Sequence, residues 1–269
     1  MKHLIPFVAL FLLISCGEKN TEVVNNPSKI KSPVATVKPH EMKIHGDTRI
    51  DNYFWMNERD SPEVLKYLEE ENAFTKEKMA HTETFQKSLF EEMKGRIKES
   101  DESVPYKENG YFYITRYEEG KEYPIYTRKK GSLEADEEVL IDANKLAEGL
   151  DFFQVASTEC SGNNSILAYA FDDESRRLWK VHFKNLLTGE LLSDELLNTD
   201  GGIAWANDNK TVFYAKKDTI DLRTGEIWRH VLGTPQSEDI LVFEEKDNTF
   251  NTGIYKTKSS RYLIIGSTS

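Results

Sequence analysis

Several residues in this sequence have side chains whose types and spacing could do chemistry. Cys160 and His182 could form a cysteine–histidine pair, in which an imidazole activates a thiolate nucleophile. A reactive thiolate needs electropositive surroundings, however, and Glu159 directly precedes the cysteine. The sequence therefore favours an idle or buried thiol, and His230, which lies within a strand-like run, is expected to be an ordinary strand residue.

A second cluster contains His45, Asp47 and Asp51, which are residue types that bind metals. A zinc site requires three or four convergent ligands with the right geometry, so this spacing alone leaves a metal site and a structural role open. Arg49 and Asp51 are expected to form an ion pair or a hydrogen bond rather than to act as catalysts. The acidic run 69–71 is expected to be a solvated helix face.

Composition limits the classes of partner. The chain has 269 residues, enough for one or two domains at about 150 residues each, and a formal net charge of −11. Such an acidic surface repels a phosphate backbone, so no nucleic-acid partner is expected. The 38% of hydrophobic residues can form a core, so wholesale disorder is excluded.

The N-terminus has the pattern of a targeting signal. An apolar run, Leu4–Ile14, is too short to span a bilayer and ends in Ser15-Cys16. This pattern resembles the lipobox of bacterial lipoproteins, in which the cysteine carries the lipid; the alternative is an ordinary signal peptide. We expect a signal peptide over 1–15, lipid attachment at Cys16 and a flexible tether over 16–40. The predicted location is the bacterial cell envelope, lipid-anchored and facing the periplasm or the surface.

A helical arm is predicted for 41–100. Ser61-Pro62-Glu63 predicts a helix start with an N-cap, a proline in the first turn and an acid that favours the helix dipole. Further along, an apolar face with a spacing of four residues is predicted to pack on the body that follows. This face consists of Phe85, Leu89, Met93 and Ile97, with Phe90 alongside.

The rest of the chain, 101–269, is rich in aromatic and β-branched residues in short runs, which predicts an antiparallel, mainly β body. Turn residues separate the runs, among them Thr188-Gly189 and Thr224-Gly225. Similar strands recur around Leu167, Val212 and Leu263, at distances of 45 and 51 residues. This period is typical of β-propeller blades, with a sandwich of coincidental spacing as the alternative. About three to four blades are expected, so the sequence is interpreted as part of a longer protein.

Several longer stretches resemble one family, the prolyl oligopeptidase family of serine peptidases, and within it the oligopeptidase B (protease II) branch. The resemblance extends from about residue 40 to the last residue. The stretches that carry it are His45–Met56, Asn57–Val64, Tyr67–Asn72, Glu119–Tyr126, Leu146–Gly149, Asn198–Trp205 and Trp228–Thr234. Two probable turns depart from the family pattern, Cys160–Asn163 and Asp218–Gly225. These departures concern the local conformation of the turns more than membership of the family.

The resemblance implies an N-terminal helical arm, a seven-bladed propeller and a C-terminal α/β-hydrolase domain. It implies hydrolysis of short peptides after lysine or arginine, with the propeller restricting access, and it makes the stretch around His45 structural. No cofactor and no metal are implied. The implied partners are short basic peptides, the membrane through the lipid on Cys16, and the chain's own C-terminal domain.

The catalytic residues of that family are expected to lie outside this chain. A hydrolase serine sits in a Gly-x-Ser-x-Gly turn, followed in sequence by the acid and the histidine, and the chain has no such spacing. We therefore predict no catalytic residue here and no α/β-hydrolase domain. Two alternatives remain open: a non-catalytic propeller module that binds peptides or proteins, and a prolyl-specific relative.

Overall fold

The computed structural model describes residues 31–269, which divide into two compact units at Arg96/Ile97. The first unit begins with a β-hairpin of β1 (His40–Ile44) and β2 (Asp47–Asp51). A 3-10 turn (Phe54–Asn57) leads to helix α1 (Pro62–Met79), and a second one (Ala80–Thr82) leads to helix α2 (Glu83–Lys94). The predicted arm therefore contains a hairpin as well as helices.

The start of α1 agrees with the sequence in position but not in every contact. Pro62 occupies the first turn and Ser61 the N-cap position, yet the serine side chain makes no capping hydrogen bond. Val64 is buried, and Tyr67 packs edge-on against Trp55 with 6.3 Å between the ring centroids. The indole nitrogen of Trp55 donates to the carbonyl of Thr36, so ordered contacts begin before residue 41.

The apolar face of α2 lies open to solvent. Phe85, Phe90 and Met93 are at least 60% exposed, and Leu89 is 40% exposed. The expectation that this face packs on the following body stays a prediction. The helix also ends at Lys94, so Ile97 is not part of it.

The second unit is mainly β and contains three antiparallel meanders of four strands each, which we call blades, and one further hairpin. A single residue pair, Thr199 with Lys216, joins the sheets of the second and third blades into one eight-stranded sheet. The first blade has β3 (Tyr106–Glu108), β4 (Tyr111–Arg116), β5 (Ile125–Lys130) and β6 (Glu137–Asp142), followed by the short helix α3 (Ala143–Leu146). The second has β7 (Gln154–Cys160), β8 (Ile166–Asp172), β9 (Trp179–Asn185) and β10 (Leu191–Thr199). The third has β11 (Ala204–Trp205), β12 (Thr211–Lys217), β13 (Thr224–Val231) and β14 (Ile240–Glu244). The last hairpin is β15 (Asn251–Lys256) with β16 (Leu263–Thr268).

The predicted repeat is the blade repeat. Leu167, Val212 and Leu263 all lie in the second strand of their blade or hairpin, in β8, β12 and β16. The three complete blades and one hairpin confirm a partial propeller of three to four blades rather than a sandwich.

The turn before each second strand has the same backbone conformation in all four repeats. A residue other than glycine adopts a positive φ of 44 to 61° there, a region that asparagine tolerates better than most residues. These residues are Asn109, Asn164, Asn209 and Ser260.

Two apolar clusters fill the space between blades. One joins the first blade to the second through residues such as Leu140, Phe153 and Leu167. The other joins the second blade to the third and includes Phe183 and Trp205. Because the second blade packs on both faces, its strand β8 is buried along almost its whole length instead of alternating.

One predicted turn is part of a strand. Thr224 and Gly225 begin β13, and the actual turn lies earlier, around Asp218, whose carboxylate accepts from the backbone N–H groups of Ile220 and Asp221. A β-carbon on Gly225 would come within 2.6 Å of the Arg223 guanidinium, so a larger residue there would require that side chain to move.

Candidate functional site

The first strands of the first two blades each carry an acidic side chain. Glu108 lies on β3 and Glu159 on β7, the first strands of neighbouring blades, and in a propeller such strands surround the central channel. Burial, and secondarily the charge of Glu108, raises the pKa of Glu159 to about 7. Glu159 remains in contact with solvent even though its pKa is raised. Protein atoms therefore surround the carboxylate closely enough to hinder its ionisation without covering it completely. Glu108, together with Glu159 once it ionises, adds negative charge to this surface, which favours cations.

We expect the substitution Glu159→Gln to stabilise the protein at pH 8 and to leave stability almost unchanged at pH 5. The folded pKa of about 7 lies above the ordinary glutamate pKa of 4.5, so ionisation opposes folding as pH rises between those values. Solvent screening limits the gain to about 1 kcal/mol or less. Thermal unfolding at both pH values measures this change in stability, and Glu148→Gln at an exposed position serves as the control. An equal effect at the two pH values would contradict the assignment.

A buried arginine connects the first two blades. Arg128 on β5 forms a two-pronged ion pair with Glu138, with Nε–Oε2 and Nη2–Oε1 distances of 2.7 and 3.0 Å. Its guanidinium carbon lies 4.0 Å from the ring centroid of Tyr111. It also donates to the Asn164 carbonyl at 3.3 Å and to the Cys160 sulfur at 3.5 Å. The contacts reach both blades, so this arginine has a structural role.

The structure does not bring Cys160 and His182 together as a pair. The Cys160 thiol faces Arg128, and burial raises its pKa, so the thiol form is favoured. The ring of His182 instead faces Glu195, with 2.9 Å between Nε2 and Oε1, and Tyr169, with 3.4 Å between Nδ1 and the hydroxyl. The prediction of an idle thiol is consistent with this geometry.

His230 lies in a polar environment that the sequence did not indicate. It is fully buried, with Nδ1 2.7 Å from Asp239 and Nε2 3.1 Å from Asp194. The hydroxyl of Tyr214 donates to the same Asp239 at 2.8 Å. No sequence signal identified the two aspartates, because Asp194 stands 36 residues from the histidine and Asp239 follows a turn. The expectation of an ordinary strand position is therefore incomplete.

The cluster around His45 is structural in its contacts. His45 and Gly46 form the turn between β1 and β2 with positive φ angles, and Asp47 accepts from the next backbone N–H. Asp51 accepts from the backbone N–H of Tyr53, and no ion pair with Arg49 is present in the part of the chain that the structure describes. Within residues 31–269, no group of three or more potential metal ligands converges.

The remaining predicted features have simple outcomes. Glu69 and Glu70 are exposed as expected of a solvated face, whereas Glu71 is half-buried and accepts from the hydroxyl of Tyr67 at 2.7 Å. Cys16 and the signal peptide over 1–15 lie outside the described residues. Between positions 31 and 269, the helices are too short or too polar to cross a membrane. The absence of catalytic residues from the chain stays a prediction.

Comparisons with known proteins identify the family. A family model described as "Prolyl oligopeptidase, N-terminal beta-propeller domain" matches residues 33–269. Dipeptidyl aminopeptidase BI of Pseudoxanthomonas mexicana is 39% identical, and the match covers 87% of this chain and 35% of that protein. Protease 2 of Moraxella lacunata is 36% identical, with 89% and 36% covered.

The solved structures agree. Oligopeptidase B from Leishmania major has a TM-score of 0.81 at 32% identity, covering 89% of this chain and 36% of that one. Oligopeptidase B from Trypanosoma brucei has a TM-score of 0.78 at 28% identity, with the same coverage. The chain thus spans about a third of the length of the relatives that it matches. It belongs to the prolyl oligopeptidase family of serine peptidases and contains part of the N-terminal propeller domain of that family.

Proposed function

We propose that this chain is the N-terminal part of a serine peptidase that hydrolyses short peptides after lysine or arginine. The observation that carries the proposal is the match to the family over 33–269, together with the similarity to oligopeptidase B structures. The net charge of −11 and the Glu108–Glu159 surface support a cationic substrate, because an acidic surface raises the local concentration of cations.

The propeller is proposed to restrict access to the catalytic cavity. A propeller closed by further blades leaves a central channel, and only peptides of limited size pass such an opening. The negative first-strand residues would then face peptides that enter. The nucleophile, base and oxyanion hole of the acyl-transfer reaction would come from the protein beyond this chain, as the chain's length relative to its relatives suggests.

The exposed face of α2 supports an interaction with that C-terminal domain. Phe85, Phe90 and Met93 are all largely exposed on one helix, and clustered exposed apolar side chains often mark an interaction site. A domain of the same protein would provide such a partner at high effective concentration.

The test uses the full-length protein and fluorogenic peptides with arginine or proline before the scissile bond. We expect kcat/KM for blocked arginine substrates to be at least about tenfold higher than for the proline substrates. A site whose carboxylates pair with the arginine of the substrate would be left unpaired by proline. Loss of activity on covalent modification by a fluorophosphonate would identify a serine nucleophile. Preferential cleavage of the proline substrates, or no hydrolysis at all, would contradict the proposal.

A second candidate is release of dipeptides from a free N-terminus. The 39% identical relative carries the name dipeptidyl aminopeptidase, which favours this possibility. Arginine substrates with a free amine two residues before the scissile bond, compared with the same peptides after acetylation, separate the two activities. Hydrolysis of the free peptides alone would favour the dipeptidyl activity.

We further propose that the protein is a lipoprotein of the bacterial envelope anchored through Cys16. In the substitution Cys16→Ser, the full-length protein is expected to lose its lipid mass and to move from the membrane fraction to the soluble fraction. A single acyl chain binds weakly, so full anchoring requires the multiple chains that a lipoprotein cysteine carries. The matched control is Cys160→Ser, which should remain anchored. Unchanged membrane retention of the Cys16 variant, with no change in mass, would contradict this proposal.

A further inference from the structure

A group of buried polar residues has no role in the proposed function. His230 is completely buried, and the side chains of Asp194 and Asp239 are 4% and 1% exposed. The three residues come from different segments: β10 of the second blade, β13 of the third blade, and the connection that leads to β14. Burial of three ionisable groups is costly unless they are paired and hydrogen-bonded, so their protonation states matter.

Both carboxylate oxygens of Asp239 make hydrogen bonds. Its Oδ2 accepts from the Tyr214 hydroxyl at 2.8 Å, and its Oδ1 lies 2.7 Å from His230 Nδ1. The amide nitrogen of Gln236 donates to the same hydroxyl at 3.1 Å, which directs the tyrosine proton towards Asp239. The short contact between Oδ1 and Nδ1 requires one proton between them, and the proposal below places it on the histidine.

The contacts of Asp194 involve the other ring nitrogen. Its Oδ1 accepts from the backbone N–H of Gly233 and lies 3.1 Å from His230 Nε2. Gly233 has a φ of +92°, a value that only glycine adopts readily. This backbone conformation forms the turn that presents the N–H group to Asp194. If Nε2 had no proton, its lone pair would face a carboxylate oxygen, unless Asp194 itself held the proton.

We propose that Asp194, His230 and Asp239 form a proton-dependent lock, in which the histidine carries both ring protons and joins two carboxylates. We call these three residues the His230 lock. It fastens the connection after β13 to β10, and Gln236 strengthens the same joint by bonding to the backbone N–H and carbonyl of Leu197. The lock therefore joins the third blade to the last strand of the second.

The surroundings of the lock determine how it responds to pH. Phe183 of β9 stacks on the imidazole with 6.0 Å between centroids and brings no charge. The titratable groups nearby are Tyr214 of β12, whose pKa is raised chiefly by burial, and Glu226 of β13, which acts on Tyr214. Loss of the second ring proton at high pH would place two lone pairs against each other, so the joint should weaken as pH rises.

The test uses the full-length protein labelled with 15N-histidine. We expect both ring nitrogens of His230 to have the protonated chemical shift at about pH 7, the middle of the histidine range. The resonance is assigned by its loss in His230→Gln. The variant Asp194→Asn keeps the shape of the side chain, so it should fold. Because it removes one carboxylate, it should lose the second ring proton at a lower pH than the wild type.

Hydrogen exchange gives an independent readout of the joint. Amides of 232–239 should exchange at least about tenfold faster in His230→Gln, after correction for intrinsic rates, as expected for local opening. The matched control is His182→Gln on the neighbouring β9, where the histidine is partly exposed and pairs with Glu195. A single ring proton on His230 at about pH 7, or equal exchange in both variants, would overturn the proposal.

Discussion

The substitution Arg128→Ala is expected to destabilise the joint between the first two blades by about 3 kcal/mol. The Arg128 side chain is 3% exposed. The substitution removes its two-pronged ion pair, so Glu138 is left without its partner. The contacts with the Tyr111 ring and the Asn164 carbonyl disappear as well. Native-state hydrogen exchange of amides in β5 and β7 in the full-length protein measures the change.

Two variants separate the geometry of this arginine from its charge. Arg128→Lys retains the charge but not the planar fork, so it should recover only part of the lost stability. Arg116→Ala on the adjacent β4 is the matched control, because Arg116 pairs with Glu118 and Glu137 in a more exposed position and should cost less than about 1 kcal/mol. If all three substitutions had the same small effect, the role assigned to Arg128 would be wrong.

The blade architecture was predictable from the sequence, whereas its polar interior was not. The recurrence of Leu167, Val212 and Leu263 predicted equivalent strands of successive blades, because a repeat places equivalent residues at equivalent positions. Arg128 and Asp194 gave no signal, since both faces of a blade are covered and simple alternation no longer separates inside from outside.

The errors of the sequence-based interpretation have local physical causes. Thr224-Gly225 was expected to be a turn because glycine usually marks one, but this glycine makes room for the Arg223 guanidinium inside a strand. The partner of the apolar face of α2 stays a prediction, because periodicity shows that a face needs a partner without identifying which one. The family resemblance identified the fold correctly, since it rests on long ordered stretches.

The substitution Phe183→Ala is expected to lower the stability of the second and third blades by about 3–5 kcal/mol. Phe183 is fully buried and packs edge-on against Trp205, with 6.0 Å between ring centroids. It also stacks on His230, so its removal leaves a cavity beside the His230 lock. The surrounding strands are held by ladder hydrogen bonds and can close such a cavity only in part.

The large loss of stability expected for Phe183→Ala follows from the position of Phe183 between two blades. A cavity on a free surface would fill with water at little cost, whereas this one is enclosed by the apolar cluster shared by both blades. Phe183→Leu should therefore cost less than alanine, and Leu187→Ala, at an 86% exposed position nearby, should change stability by less than about 0.5 kcal/mol. Hydrogen exchange of β8 and β12 amides in the full-length protein measures the three variants. If the alanine variant behaved like Leu187→Ala, the two blades would not share the core described above, and the blade joint would have to depend on its polar contacts alone.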